Sequence, residues 1–348
     1  MASMKIAFRV DANPKEGFNH LDRCLALAQG LSDTAPDCEI LFISGNSSDY
    51  IKRISEAGFN NKDLGTMTWL EDDLDQSKAA IEEFAPDLVI LDKNVDEKSI
   101  LTLKKSAPSL AVIDDSMNLK KYDADIIINP NVHAHLLDYP CKSETILFLG
   151  TEYSILPKDF DPYQDFQRSN PDKAKRILIT FEDGDPRSVS LDIVRAIKPI
   201  DDSFLATVVV GRDFQKGEEL SQEIGLDPRF LVIQSMSDLP RRMASADLAI
   251  TDTGNSFHGS IFFRLPAMLV NYRPKCAPIT EFSSLNGLGV PLGEAGSINH
   301  RFVADSINKL INDQGERNRI SGRMNELVDG LGRFRLADEI LGILKNKG

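Results

Sequence analysis

The chain has 348 residues, enough for two domains at roughly 100–200 residues each. Hydrophobic residues make up 42% and charged residues 27%, as in soluble globular proteins, which excludes a disordered or fibrous chain. The formal net charge of −13 opposes binding to nucleic acid or to an anionic membrane surface, and no window approaches the ~18 uninterrupted apolar residues of a membrane span.

The first half of the chain alternates short β-branched runs with longer stretches of helical pattern. The apolar runs show little alternation, which is typical of strands buried on both faces and therefore predicts a parallel sheet. The predicted strands are Lys5–Val10, Glu39–Ser44, Leu88–Leu91, Leu110–Ile113 and Asp125–Asn129. The stretches between them are long enough for crossover helices.

A polar segment, residues 157–175, interrupts this alternation and is predicted to be a linker. The pattern then restarts, and the chain ends in helical sequence over Arg301–Asp313 and Glu316–Lys345. The predicted strands of the second half are Arg176–Thr180, Leu205–Val210, Phe230–Gln234, Leu248–Thr251 and Ala267–Asn271. We therefore predict two doubly wound Rossmann-like α/β domains facing a cleft, residues 4–156 and 176–348, with ligands bound at the carboxyl ends of strands.

His20 stands at the junction of the first strand and the first helix. The strand opens into a turn that begins at Asp11, and a helix is predicted over Leu21–Leu31, so His20 lies at or near a helix N-terminus. The positive potential of that helix end disfavours an imidazolium, and a neutral imidazole is what a general base needs. On these residues alone, an ordinary surface or capping histidine remains the alternative.

Ordered motifs along the chain give a more specific indication. The N-terminal stretch reads Arg9-x-Asp11, then Gly17-x-x-His20-x-x-Arg23-Cys24-Leu25-x-Leu27-Ala28. The motifs that follow, in order, are Ile113-Asp114-Asp115, Asn129-x-Asn131, Gly150-x-x-Tyr153-x-x-Leu156, Val208-Val-Val-Gly211, Ala246-Asp247-Leu-Ala-Ile250 and Gly254-Asn255-Ser256 before Pro266. Together they resemble the nucleotide-sugar hydrolases of the pseudaminic acid pathway and their spore-coat polysaccharide relatives.

This resemblance implies a GT-B-type architecture and a metal-independent reaction without a cofactor. Water would attack the anomeric carbon of a UDP-linked amino-deoxy sugar, and UDP and the free sugar would be released. The histidine that matches His20 would activate the water or stabilise the charge that develops in the transition state. The residues implied to line the sugar pocket are Asp11, Gly17, Asn131 and Tyr153. Those implied to receive the diphosphate through their backbone N–H groups are Gly254, Asn255 and Ser256.

Several ligand-contacting positions of that family carry different residues in this chain. A Gly-Gly pair of the second domain aligns with Glu182 and Asp183, two carboxylates that would repel a phosphate. A ribose-binding glutamate aligns with Gly259, an Asn-Gln pair with Ala277-Pro278, and an Asp-His-Tyr triplet with Asp92-Lys93-Asn94. We expect at least one of Glu182 and Asp183 to point into the cleft.

Three functions are therefore compatible with the sequence. The motif order favours a sugar-nucleotide hydrolase of surface-glycan biosynthesis, and the same architecture would serve a glycosyltransferase that passes the sugar to an acceptor. The residues lost from the second domain favour a non-catalytic or altered-ligand protein with the same fold.

Two further patterns bear on metals and on the compartment. His133-x-His135 near Asp138 is interpreted as a loop pair, because so few ligands at strand-like spacing are a weak indication of a metal site. The four cysteines include no C-x-x-C pair, and the N-terminus has no apolar leader, so we predict a reducing, cytoplasmic location.

Overall fold

The computed structural model of the chain describes residues 3–11, 19–45, 48–65, 71–92, 96–181, 185–211, 214–234 and 238–347. Within these ranges, strands alternate with helices and form two parallel sheets, which confirms the predicted fold class of two doubly wound α/β domains. No helix in the described ranges is both long and apolar enough to cross a membrane.

The first sheet has the strand order β3-β2-β1-β4-β5-β6-β7. Its strands are β1 Lys5–Val10, β2 Glu39–Ser44, β3 Asn60–Asp63, β4 Leu88–Asp92, β5 Leu110–Ile113, β6 Ile126–Asn129 and β7 Ile146–Leu149. The helices between them are α1 Asn19–Thr34, α2 Ser48–Glu56, α3 Glu71–Phe84 and α4 Glu97–Lys104. The five predicted strands are present, and β3 and β7 are additional.

Burial of the central strands explains why their sequence shows no alternation. All residues of β4 are buried, and in β1 Phe8 stacks on Phe42 of β2 with ring centroids 5.0 Å apart. Strands with helices on both faces need apolar side chains at successive positions, not at alternate ones. The edge strand β3, by contrast, is largely exposed and polar.

The second sheet has the strand order β10-β9-β8-β11-β12-β13. Its strands are β8 Arg176–Thr180, β9 Leu205–Val209, β10 Phe230–Ile233, β11 Leu248–Thr251, β12 Ala267–Asn271 and β13 Val290–Glu294. The helices of the second half are α5 Val189–Ile197, α6 Gly217–Ile224, α7 Leu239–Ser245, α8 Asn255–Phe262, α9 Ala277–Leu285, α10 His300–Asn312, α11 Gln314–Met324 and α12 Gly332–Lys347.

The chain divides into two compact units, and the division differs from the predicted domains in two places. The first unit contains His20–Lys158 together with β1 and the segment from Leu331 onward, and the second contains Asp159–Gly330. The helix α12, predicted as part of the second domain, therefore belongs to the first. Most of the predicted linker, residues 157–175, lies inside the second unit.

Two arginines hold this former linker in the second unit. Arg168 donates to three backbone carbonyl oxygens at 2.8, 2.6 and 2.6 Å, those of Met243, Ala246 and Phe263. Arg317 of α11 is fully buried and donates to the carbonyl oxygens of Pro171 at 2.5 Å and Asp172 at 3.1 Å. This segment is therefore not a flexible linker, because side chains satisfy its backbone polar groups and fix it to the second unit.

Gly332 begins α12 where two backbones come close. A Cβ at this position would lie 2.3 Å from the carbonyl oxygen and 2.6 Å from the amide nitrogen of Ser154, and backbone atoms cannot move aside as a flexible side chain can. We expect Gly332→Ala to lower the free energy of unfolding by about 1–3 kcal/mol and to loosen α12. Denaturant unfolding, with hydrogen exchange over the residues of α12, measures both effects.

Gly342→Ala in the same helix is the matched control. Nothing lies within 4 Å of a Cβ at Gly342, so alanine there should be neutral or stabilising through its higher helix propensity. Equal stabilities of the two variants would contradict the close approach at Gly332.

Candidate active site

Polar residues gather at the carboxyl ends of the central strands of the first sheet. Because β1 lies between β2 and β4, the chain winds in opposite directions from this point, and such a switch point is where doubly wound folds bind ligands. Asp92 ends β4, Asp114 and Asp115 follow β5, and Asn129 ends β6. Helix α1 follows β1 and carries His20 in its first turn.

His20 is paired with a fully buried carboxylate. Its Nδ1 lies 2.7 Å from Oδ1 of Asp92, and 20% of the His20 side chain is exposed. When Nδ1 carries the proton and donates to Asp92, the lone pair of the neutral ring is on Nε2. The pair therefore fixes both the tautomer and the orientation of the imidazole, as the carboxylate of a catalytic triad does.

Arg23, one turn after His20 on α1, binds the other side of the same carboxylate. Its Nε and Nη2 donate to the two oxygens of Asp92 at 2.5 and 2.6 Å, and its Nη1 donates to Oδ1 of Asp115 at 2.8 Å. A bidentate arginine and carboxylate pair is among the strongest and most directional polar contacts in proteins. Arg23 thus connects the ends of β4 and β5 beneath His20.

Burial and neighbouring charges have opposite effects on the pKa values of Asp92 and Arg23. Burial alone would raise the pKa of Asp92, but the Arg23 guanidinium and the contact with His20 outweigh it and hold that pKa below its usual value. Burial likewise would lower the pKa of Arg23, and the carboxylates of Asp115 and Asp92 raise it well above its ordinary value instead. Asp92 therefore stays ionised and remains an acceptor for Nδ1–H at neutral pH.

Asn131 joins the same network from the end of β6. Its Nδ2 donates to Oδ1 of Asp115 at 3.2 Å and to Oδ1 of Asn129 at 2.8 Å, and the residue is almost fully buried. The structure thus brings the predicted catalytic residue His20 and the predicted pocket residue Asn131 into one hydrogen-bonded chain through Arg23, Asp92 and Asp115. The amide of Asn131 orients Asp115 in this arrangement.

Two other predicted pocket residues, Asp11 and Tyr153, make contacts of their own among the described residues. Asp11 follows β1 and accepts hydrogen bonds from the Arg9 guanidinium and from the backbone N–H of Gly45 at 3.2 Å. Tyr153 follows the edge strand β7, and its ring centroid lies 5.1 Å from that of Phe148. Gly17 falls outside the described residues, and for all three the role in sugar binding stays a prediction.

In the second unit, the predicted phosphate loop leads into α8. Asn255 and Ser256 are the first residues of that helix, and Gly254 precedes them. The N–H of Gly254 donates to Oδ1 of Asp252 at 2.7 Å, and a Cβ on Gly254 would lie 3.0 Å from the same oxygen. One of the three predicted phosphate donors is therefore already bound by a carboxylate, whereas phosphate binding by the amides of Asn255 and Ser256 stays a prediction.

The N-terminus of α5 carries a carboxylate of its own. Oδ1 of Asp185 accepts from the N–H of Val189 at 3.0 Å and from the hydroxyl of Tyr272 at 3.0 Å, and Oδ2 accepts from the N–H of Ser190 at 2.8 Å. Burial raises the pKa of Asp185 despite these donors. The helix end that follows the first strand of this sheet is thus filled by an internal anion, and a diphosphate would have to displace it.

Gly259 is one departure from the family pattern. A Cβ on Gly259, in the middle of α8, would lie 2.8 Å from Sδ of Met243 and 3.0 Å from Cζ of Phe160. A glutamate at this position would require those two side chains to move, and glycine has no carboxylate for the ribose contact that the resemblance implies. Glu182 and Asp183 lie outside the described residues, as does Lys93.

The prediction of site residues missed Asp92, Arg23 and Asp115. Each carried a signal in the sequence, since Asp92 directly follows the apolar run of β4 and the other two belong to the ordered motifs. The family pattern assigns Asp92 only to an Asp-His-Tyr triplet, whose other two residues differ in this chain. Its partnership with His20 depends on the pairing of β1 with β4, which the sequence does not specify.

No family model matches the chain. It is 26% identical over 276 residues, 77% of its length, to an uncharacterised protein of Methanocaldococcus jannaschii. It is 27% identical over 197 residues, 55% of its length, to the UDP-2,4-diacetamido-2,4,6-trideoxy-beta-L-altropyranose hydrolase of Campylobacter jejuni. The matched regions span 55% and 64% of the lengths of these two relatives.

Solved structures with the same fold cover nearly the whole chain. MurG of Acinetobacter baumannii superposes with a TM-score of 0.69 at 13% identity, over 97% of this chain and 99% of that one. MnaA of S. aureus, solved with UDP, superposes with a TM-score of 0.67 at 17% identity, over 98% of this chain and 97% of that one. These likenesses confirm a two-domain α/β fold of GT-B type.

Proposed function

We propose that the chain cleaves a UDP-linked amino-deoxy sugar at the anomeric carbon, with His20 as the general base. The observation that carries the proposal is the His20–Asp92 pair at the switch point of the first sheet. It is supported by the sequence likeness to a UDP-sugar hydrolase and by the fold shared with a UDP-bound protein.

In the proposed reaction, Nε2 of His20 takes a proton from water as the water oxygen attacks the anomeric carbon. The bond between that carbon and the diphosphate oxygen breaks, and UDP leaves with the electron pair. Throughout the reaction, Asp92 accepts a hydrogen bond from Nδ1–H of His20 and stabilises the imidazolium that forms. Arg23 keeps Asp92 in place. The proton on Nε2 then passes to the leaving UDP or to solvent.

The diphosphate is proposed to bind at α8, through the backbone N–H groups of Asn255 and Ser256 together with the helix dipole. The N-terminus of α5 is not used, because Asp185 already accepts its N–H groups. With Gly259 in place of a ribose-binding glutamate, the nucleoside is held less tightly than the resemblance implies.

Glycosyl transfer is the second candidate, favoured by the fold that the chain shares over its whole length with a glycosyltransferase from Rickettsia africae. The same base would then take its proton from an acceptor hydroxyl and not from water. A non-catalytic or altered-ligand protein is the third, favoured by the carboxylate at α5 and by the packing around Gly259.

Release of UDP from a panel of UDP-linked amino-deoxy sugars, with and without candidate acceptors, tests the three alternatives. We expect UDP and free sugar without an acceptor. Release that requires an acceptor would identify a transferase. No release, together with no calorimetric binding of UDP, would contradict the proposed activity, because a micromolar site corresponds to about 8 kcal/mol and is readily measured.

A further inference from the structure

His133 is a buried imidazole whose ring has no hydrogen-bond partner among the described residues. It follows β6, two residues after Asn131, and only 7% of it is exposed. Its Nδ1 is fully buried and makes no hydrogen bond within the described chain. Buried polar atoms are nearly always paired, so an unpaired ring nitrogen next to a candidate active site calls for an explanation.

The backbone around His133 is fixed, so its position is defined. The carbonyl oxygen of His133 accepts from the N–H of Leu136 at 2.9 Å, and that of Asn131 accepts from the N–H of Ala134 at 3.0 Å. These bonds form a short 3-10 turn over Ala134–Leu136 directly after the strand. The imidazole is thereby held at the same sheet edge as the His20 network.

The surroundings of His133 disfavour the charged form of its ring. Burial lowers the pKa of His133, His135 lowers it further, and the carboxylate of Asp115 acts in the opposite direction with a smaller effect. That carboxylate is the one that Arg23 and Asn131 share. Asp115 therefore links His133 electrostatically to the chain of contacts that ends at His20.

A metal ion does not account for the unpaired nitrogen. The described residues contain no group of three His, Cys, Asp or Glu side chains placed to hold one. A neutral imidazole offers one donor and one acceptor, which suits a hydroxyl or an acylamino group of a sugar ring.

We propose that His133 is a substrate-binding residue that hydrogen-bonds a hydroxyl or acylamino group of the sugar. This inference rests on the proposed function, since it assigns the sugar to the same sheet edge. A buried ring nitrogen that is satisfied only by the ligand discriminates strongly against sugars that lack the matching group.

The test compares His133→Phe, His133→Gln and the chain with the wild-type His133 by calorimetric titration, with His20→Gln in all three so that the proposed hydrolysis does not consume the sugar nucleotide. Phenylalanine fills a similar space without nitrogen atoms, and glutamine keeps hydrogen-bonding capacity. The probes are UDP alone and UDP-2,4-diacetamido-2,4,6-trideoxy-beta-L-altropyranose. We expect His133→Phe to weaken binding of the sugar nucleotide by about 10- to 100-fold while leaving UDP binding unchanged, and His133→Gln to recover part of the loss. The exposed neighbour His135, changed to alanine, is the control and should bind both probes as the wild type does.

Histidine 15N spectra of the His20→Gln chain with the wild-type His133 supply a second measurement if His133→Phe does not fold. The His133 ring signals should shift when the sugar nucleotide is added and not when UDP is added. Wild-type binding of the sugar nucleotide with no effect of His133→Phe, or with unmoved ring signals, would overturn this inference alone. Absence of wild-type binding to both probes would overturn the proposed function together with it.

Discussion

Replacing His20 with glutamine is expected to lower the turnover of a UDP-linked sugar by about 10²–10⁴-fold, the usual contribution of a general base. Glutamine can still donate a hydrogen bond to Asp92, which accepts from Nδ1 at 2.7 Å in the native chain, but it has no basic nitrogen. The loss should therefore appear in kcat, with little change in the KM for the sugar nucleotide. UDP release at saturating substrate, with far-UV circular dichroism as the check on folding, measures it.

His300→Ala is the control for that variant. His300 begins α10 in the second unit, and its side chain is largely exposed, so turnover should be unchanged. A glutamine variant that turns over as fast as the wild type would show that His20 merely caps α1, which is the ordinary interpretation of a histidine at a helix N-terminus.

Replacing Arg23 with methionine is expected to lower the free energy of unfolding by about 3–5 kcal/mol, because it leaves the fully buried carboxylate of Asp92 without its guanidinium partner. Methionine keeps much of the apolar volume, so the loss reflects charge and not a cavity. Denaturant unfolding at pH 7 gives the value. Arg53→Met is the matched control, since Arg53 pairs with Asp22 at 3.0 Å on the surface, where such pairs contribute about 0–1 kcal/mol.

The effect of Arg23→Met should depend on pH. In the wild type the pKa of Asp92 is lowered, so its stabilising contribution is present above the unfolded value of about 3.9 and is lost as the pH falls through the lower folded value. Without Arg23, burial raises that pKa above the unfolded value, and the destabilisation is removed as Asp92 becomes protonated. The difference in stability between wild type and variant should therefore be smaller at pH 4 than at pH 7. A constant difference would place the effect on packing.

The central strands could be predicted from the sequence because strands buried on both faces consist of continuous apolar runs, which are visible locally. Residues 88–91 of β4 and all of β5 are short apolar runs, and every residue in them is buried. The edge strand β3 has no apolar run, because its backbone pairs with β2 and its polar side chains are mostly exposed. Its sequence is Asn60-Asn61-Lys62-Asp63. The polar sequence predicted a linker over residues 157–175 for a similar reason, since the hydrogen bonds that hold this segment join it to residues far away in the chain.

Single residues of the candidate site could be predicted from the sequence, but the contacts between them could not. The position of His20 follows from the strand and helix beside it, but its partner Asp92 lies 72 residues away and is brought near by the order of strands in the sheet. The same holds for the second unit. The carboxylate of Asp185 accepts a hydrogen bond from the hydroxyl of Tyr272, 87 residues away, and the side chains of Met243 and Phe160 lie close to Gly259. Long-range packing, which no local pattern reports, decides these contacts.

Hydrolysis in water enriched in ¹⁸O tests most directly whether the bond at the anomeric carbon is the one that breaks. The chain is incubated with a UDP-linked amino-deoxy sugar, and the two products are separated and analysed by mass spectrometry. Attack of His20-activated water on the anomeric carbon predicts that the heavy oxygen appears in the free sugar and that UDP contains none. Heavy oxygen in UDP would mean attack on phosphorus and would contradict the proposed mechanism.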